Sequence, residues 1–466
     1  MTTIYSLPPE IYGKIVPHLT DADLREYRCT CKYFAATGAK ELFKVIAFHA
    51  SSVSVQRVQE LAGRENLRGC VQTLVWDSNL WDIAGGTEDE LTAYQLQQGR
   101  YSTLRDNYRL LYPEPYGLLP RDIEAKIGDV KAHYQAHDER RQDEKKTLHG
   151  VLHPDRIAGL LQQFPALREI RILNGSLESR ERGLQKIRTD IARDTLDFIP
   201  RGDSLFNPDL EDGPLGVHAL TRAIEGLSAL QRPWKLEIDA IDYTFFMPRI
   251  YPVSFEAKLG RLTSLTLALS YWRGGPIARG DGYEECDECW AVLKRGFFKQ
   301  FLRSMKALRS LSLSLHQRRQ IGRFHAAASI REMIPLDEDW TELCELSLTN
   351  IDVAEEDIIR LLQNHSSTLK ALHLKDICLV PDGSWIHVLE AVRPVLKLTS
   401  AIFSGEYLFG CCEEKPGALI WWLNGDLGSA LSEYLISGGE CPLREDNTVW
   451  HGVTADGNAW FEQERS

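Results

Sequence analysis

The chain has 466 residues, 43% of them hydrophobic and 26% charged, with a formal net charge of −12. These are globular values; the length allows one large core or two to three domains, and the acidic balance argues against binding nucleic acid through its backbone. Ten cysteines are too few for a disulfide scaffold, and no apolar run approaches the roughly 20 residues of a membrane helix.

The first predicted elements are helical. Leu7-Pro8-Pro9-Glu10 suits a helix start, because proline in the first turn lacks only an amide that would have no partner there. Ile11 and Ile15 are four apart and share a face. Gly13 weakens this helix by about 0.5–1 kcal/mol relative to alanine. Pro17 is expected to end or kink it. Thr20-Asp21-Ala22-Asp23 reads as a second start, with Thr20 as cap and Asp23 reaching back. Leu24 and Tyr27 follow on that helix, and Cys31-Lys32-Tyr33-Phe34 closes the segment. Three short helices bury little among themselves, so a partner surface or an adjoining domain is expected to cover them.

The order LPPE, spaced apolar residues, then Cys-Lys-aromatic resembles an F-box, over about residues 5–48. The resemblance implies docking on a Skp-type adaptor, and through it a cullin. The docking residues it implies are Leu7, Pro8, Ile11, Ile15, Leu19 and Leu24.

Beyond residue 48 a second pattern recurs: an apolar residue, two others, then two apolar residues separated by one. It occurs as Val71, Leu74, Trp76; Leu167, Ile170, Ile172; and Leu262, Leu265, Leu267. It returns as Leu308, Leu311, Leu313; Leu343, Leu346, Leu348; and Leu369, Leu372, Leu374. Weaker copies are Leu236 with Ile238, and Leu396 with Leu398. Period-two alternation predicts strands with one buried face. Between Leu346 and Leu372, Ile358, Leu361 and Leu362 share one helical face. A strand plus a helix within about 20–29 residues is the leucine-rich-repeat spacing. Longer steps elsewhere read as repeats with inserted loops. An α/β sandwich with a mixed sheet would also alternate strands and helices; recurrence of one string favours the solenoid.

Two polar insertions interrupt the pattern, at about 85–150 and 176–215. The first is expected to hold a long helix with Ile123, Ile127, Val130 and Tyr134 along one stripe, ending in a solvated charged stretch at Glu139–Lys146. A C-terminal cap is expected from about Lys415 to Leu443, including Trp421-Trp422, because a repeat array must hide its last edge. Trp450, Trp460 and Phe461 are candidates to tether the tail.

The sequence contains no phosphate-binding GxxxxGK[ST] loop, no strand-linked GxGxxG, no GxSxG elbow and no HExxH pair. Cys286-Asp287-Glu288-Cys289 has metal-like spacing but lacks a second pair, and its acidic neighbours oppose thiolate formation. It is expected as an acidic loop before a helix at Trp290–Phe301. Cys411-Cys412 are expected as core or loop thiols. No cofactor or metal and no enzymatic activity are expected.

In a solenoid, the residues alternating with buried leucines line the concave face. The candidates are Arg171, Thr266, Ser312, Ser347, His373 and Lys375, with Glu237, Asp239, Ser314 and Thr349 beside them. The expected fold class is α/β: an all-α F-box of three short helices at 1–48, an irregular leucine-rich-repeat-like solenoid of parallel strands and helices at 49–414, and a cap and tail at 415–466. The chain thus resembles the F-box proteins with leucine-rich repeats numerous in filamentous fungi. That resemblance implies a substrate-recognition subunit of an SCF-type cullin-RING ubiquitin ligase, with an unknown protein substrate, no nucleic acid or membrane partner, and a cytoplasmic or nuclear location. An alternative is an adaptor-bound F-box scaffold acting outside a ligase.

Overall fold

The computed structural model describes residues 9–78, 130–173, 217–248, 253–270, 283–316, 329–338, 340–379, 383–405, 407–412, 415–423, 425–443, 449–453 and 459–462. The chain divides into two compact units, Met1–Arg232 and Pro233–Ser466. Leu7, Pro8, Ile123, Ile127 and the stretch 176–215 lie outside the described residues.

The N-terminal unit opens with helices α1 (Pro9–Ile15), α2 (Asp21–Thr30) and α3 (Lys32–Leu42). Pro17 sits in a short 3-10 turn, Val16–His18, that ends α1. The cap of α2 is reciprocal: Asp23 N donates to Thr20 Oγ1 at 3.2 Å, and Thr20 N donates to Asp23 Oδ2 at 3.2 Å. Cys31 caps α3, its sulfur accepting from Phe34 N at 3.4 Å. The three helices close on an aromatic cluster in which Tyr27 stacks on Phe34 at 4.3 Å and Tyr12 meets Phe34 edge-on at 4.9 Å.

Strands β1 (Val45–His49), β2 (Thr73–Asp77) and β3 (Glu169–Leu173) pair in parallel in that order. Ile46, Leu74 and Ile170 are in register, as are Phe48, Trp76 and Ile172. Strand β1 begins inside the segment expected to be all-helical. The apolar spacing is present there as Phe43, Ile46 and Phe48, but without a leucine to mark it.

The long helix is Val130–His149. Of its charged end, Glu139, Gln142, Lys145 and Lys146 are exposed, while Glu144 is buried, as are Thr147 and Leu148 just beyond it. Arg222, on the helix Val217–Ser228, donates from Nε to the carbonyl of Leu152 at 2.6 Å and from Nη2 to that of Leu148 at 3.4 Å. A guanidinium is thereby placed where a helix C-terminus presents unpaired carbonyls and negative partial charge.

In the C-terminal unit, β4 (Trp234–Asp242), β5 (Leu262–Ser270), β6 (Ser310–His316), β7 (Glu345–Thr349), β9 (Ala371–Lys375) and β11 (Ser400–Ser404) pair in that order, all parallel. Leu236, Leu265, Leu311, Leu346, Leu372 and Ala401 form one buried row. Helix residues Phe298, Phe301, Ile358, Leu361 and Val388 complete the core. Leu396 and Leu398 lie ahead of β11 and not within a strand. The last copy of the pattern is Leu398, Ala401, Phe403, with alanine and phenylalanine in leucine positions.

The strands end on a recurrent turn. Asn350, Asp376 and Gly405, each just past its strand, all have positive φ (55°, 51° and 103°). Asparagine and aspartate tolerate this region best among residues with a side chain. At Gly405 glycine is needed twice over, since a Cβ there would also lie 2.0 Å from Asp376 Oδ1.

A second sheet was not expected from the sequence. Short strands β8 (Asp352–Val353) and β10 (Cys378–Leu379) pair in parallel with each other, and β10 with β12 (Tyr407–Cys412). Strands β13 (Lys415–Trp422), β14 (Val449–Val453) and β15 (Ala459–Glu462) extend the sheet from β12 in antiparallel fashion. Cys411-Cys412 and Trp421-Trp422 are therefore strand residues, and so are Trp450, Trp460 and Phe461. The helix Gly425–Ser437 packs on β11 so closely that a Cβ at Gly428 would lie 2.7 Å from the carbonyl oxygen of Phe403.

Candidate interaction surfaces

Helix α1 and the turn that ends it divide their apolar residues between two sides. Tyr12 and Val16 are buried, while Ile11 and Ile15 are each 38% exposed. The four-residue spacing does put both isoleucines on one face, and that face is turned to solvent. Leu19 is half-buried and Leu24 has no exposed surface. Leu24 is a core residue of the helical segment, so its side chain is not offered for docking in this conformation. Tyr33, 45% exposed, contacts Tyr12 with ring centroids 5.7 Å apart.

The second surface is the sheet face opposite the buried leucines of the C-terminal unit. Glu237, Thr266, Ser312, Ser347, His373 and Ile402 stand in register across the strands. A neighbouring row holds Ala268, Ser314, Thr349, Lys375 and Ser404. The structure thus brings together Thr266, Ser312, Ser347, His373 and Lys375. Arg171 belongs to the N-terminal unit, where its in-register neighbour is Val75 and its Nε donates to Glu169 Oε1 at 3.0 Å. Ile402, 48% exposed, is an apolar member of the row that sequence reasoning missed, because the strand was sought at Leu396 and Leu398.

His373 links two hydroxyls. Its Nε2 lies 2.7 Å from Ser404 Oγ, and its Nδ1 lies 3.5 Å from Ser347 Oγ. Burial, then the Lys375 ammonium, lowers the imidazole pKa, which favours the neutral ring. A neutral imidazole donates at one nitrogen and accepts at the other, so it can serve both hydroxyls at once. The face is uncharged at its centre, and Lys375 is exposed beside it.

The CxxC segment is not a loop. Tyr283–Lys294 is a helix, and Cys289 is fully buried in it. The acidic residues that suggested a loop occupy the first turns, where the helix dipole favours them. Among the described residues no group of three or more His, Cys, Asp or Glu side chains is placed to hold a metal ion. No helix there is long and apolar enough to cross a membrane.

These features define a mixed α/β protein whose largely parallel strands pack on one face and, in the C-terminal unit, present hydroxyls on the other. The chain matches no protein-family model and no curated protein.

Proposed function

We propose that this protein is a substrate-recognition adaptor of an SCF-type cullin-RING ubiquitin ligase. In this reading α1–α3 are an F-box that docks on a Skp-type adaptor, and the strand–helix modules are irregular leucine-rich repeats that hold a protein substrate. The observation that carries the reading is that Ile11 and Ile15 are left at the surface while Tyr12 and Val16 are buried. The in-register row on the C-terminal sheet supports the second half, since small hydroxyls leave room for the large anchoring side chains that dominate interface energy. Catalysis would then be proximity: a tethered substrate meets ubiquitin donated by another subunit at high effective concentration.

The test is capture of purified Skp-type adaptor and cullin by the full chain and by an Ile11→Ala, Ile15→Ala variant. Both side chains are exposed, so the variant keeps its fold. We expect adaptor binding to weaken by about tenfold to a hundredfold. Folded wild-type chain that captures no adaptor refutes the reading. Capture of adaptor without cullin moves the protein to a scaffold role outside the ligase. Leu24 is unsuited to this test, because replacing a buried leucine unfolds the segment before it tests docking.

A further inference from the structure

One end of the open sheet face holds a constellation that no linear motif could show, because its members come from three strands. Ser347 on β7 and Ser404 on β11 are 26 and 31 residues from His373 on β9. Parallel pairing sets Ile402 directly beside His373, and Ser404 directly beside Lys375. His373 Nε2 lies 2.7 Å from Ser404 Oγ, and Nδ1 lies 3.5 Å from Ser347 Oγ.

A hydroxyl is a weak nucleophile until a base within hydrogen-bond reach can take its proton. The Ser404–His373 contact is inside that reach. The base must also be neutral, and both burial and the Lys375 ammonium favour the neutral ring. With its remaining proton on Nδ1, toward Ser347, the ring turns the lone pair of Nε2 to Ser404. Ser404 is half-buried at the end of its strand, and Gly405, which follows it, has no side chain to cover it. Ile402, 48% exposed, is an apolar seat next to the imidazole. Lys375 is exposed on the same face, where its ammonium can meet negative charge developing on a carbonyl oxygen.

We propose that Ser404 and His373 are a nucleophile and base that hydrolyse small carboxylic esters, with the acyl chain lying on Ile402. Ser404 Oγ bonds to the ester carbonyl carbon as its proton passes to His373 Nε2. The bond from that carbon to the alcohol oxygen then breaks, and the alcohol leaves with the proton. Water attacks the acyl-serine in the same way, giving its proton to His373. The carboxylic acid departs and the Ser404 hydroxyl is restored. The pair lies on the face proposed to hold a protein substrate but does not depend on that role, since α1 and its adaptor docking involve neither residue.

The experiment is hydrolysis of p-nitrophenyl butyrate by the full chain, beside Ser404→Ala and His373→Gln variants whose folding is checked by circular dichroism. We expect saturable release of p-nitrophenolate above the buffer rate, and a loss of about a hundredfold or more in kcat/KM in each variant. The wild-type rate should be level above the ordinary imidazole value of 6.5 and fall in acid as His373 takes up its proton. A fluorophosphonate should label Ser404 in wild type, much more slowly in His373→Gln. Ser347→Ala should lower kcat and leave KM unchanged, because it removes only the hydroxyl that faces Nδ1. No rate above buffer, an unchanged rate in Ser404→Ala, or labelling at another residue would each overturn the proposal. Loss in His373→Gln without loss in Ser404→Ala would overturn it too, since the imidazole would then act without the serine.

Discussion

The two units carry the same apolar spacing on one sheet face and differ on the other. In the N-terminal unit the central strand is buried on that other face as well: Thr73, Val75 and Asp77 are buried, as is Leu173 beside Asp77, while Val45, Ala47, Glu169 and Arg171 on the flanking strands are half-buried. In the C-terminal unit the equivalent positions of the central strands are Ser312, Ser314, Ser347 and Thr349, each half-buried. The sequences follow suit. Strand β2 reads TLVWD, whereas β6 reads SLSLSLH. A strand covered on both faces loses its alternation, and one covered on a single face keeps it. Alternation therefore marks where this protein leaves strand surface free for something else.

A lysine in each face separates the two most sharply. Val75→Lys forces a charge into a site with no exposed surface, beside Arg171, and should cost about 3 kcal/mol or more. Ser312→Lys can lead its ammonium to water and should stay within about 1 kcal/mol. Urea unfolding of each variant measures the difference; equal losses would mean that the C-terminal face is as closed as the N-terminal one. A backbone change comes next. Gly405→Ala should cost about 1–3 kcal/mol, because it puts a side chain at φ 103° and against the Asp376 carboxylate. Proteolysis should then report loosening confined to the C-terminal unit.

Most of the parallel sheet was legible because leucines repeat at a fixed spacing. Two misses in that sheet share one cause. Strands β1 and β11 keep the spacing but replace leucine with Phe43, Ile46 and Phe48, or with Ala401 and Phe403, so a search for leucine passes over them. The parallel edge of the second sheet escaped for another reason: β8 and β10 are two residues each, too short for any period to register. Of the candidate site, the row Thr266–His373 was legible from alternation alone, since in-register pairing follows from it. Whether Ile11 and Ile15 or Tyr12 and Val16 face inward was not, because both pairs have helical spacing and only the aromatic packing on Phe34 decides.

The two faces should also respond differently to acid. His49, at the end of β1, has its pKa lowered chiefly by burial. Asp77 and Asp143 favour its protonation, and Arg140 and Arg57 oppose it. Above the ordinary value of 6.5 the ring is neutral in both folded and unfolded chains and costs nothing. Below it the unfolded chain gains a proton that the folded chain resists, so stability should fall as pH drops from about 6.5 toward the lower folded pKa. His49→Gln should flatten that part of the curve. His373 shifts in the same direction, but it borders solvent on the open face, so His373→Gln should flatten the curve less. Unfolding free energies between pH 8 and pH 5, taken at about one-unit steps, decide between them; an equal effect of both substitutions would erase the distinction.

The finest comparison is between two hydroxyls. Thr73 Oγ1 donates to Glu169 Oε2 at 2.8 Å on the closed face, and Ser347 Oγ lies 3.5 Å from His373 Nδ1 on the open one. Thr73→Ala removes a donor to a carboxylate where water cannot easily replace it, and should cost about 1–2 kcal/mol. Thr73→Ser keeps the hydroxyl and should recover most of that. Ser347→Ala removes a contact at the limit of hydrogen-bond length from a ring still held at 2.7 Å by Ser404, and should cost no more than about 0.5 kcal/mol. If Ser347→Ala proves the costlier of the two, the hydroxyl row is part of the fold's own hydrogen bonding and not a surface kept free for a partner.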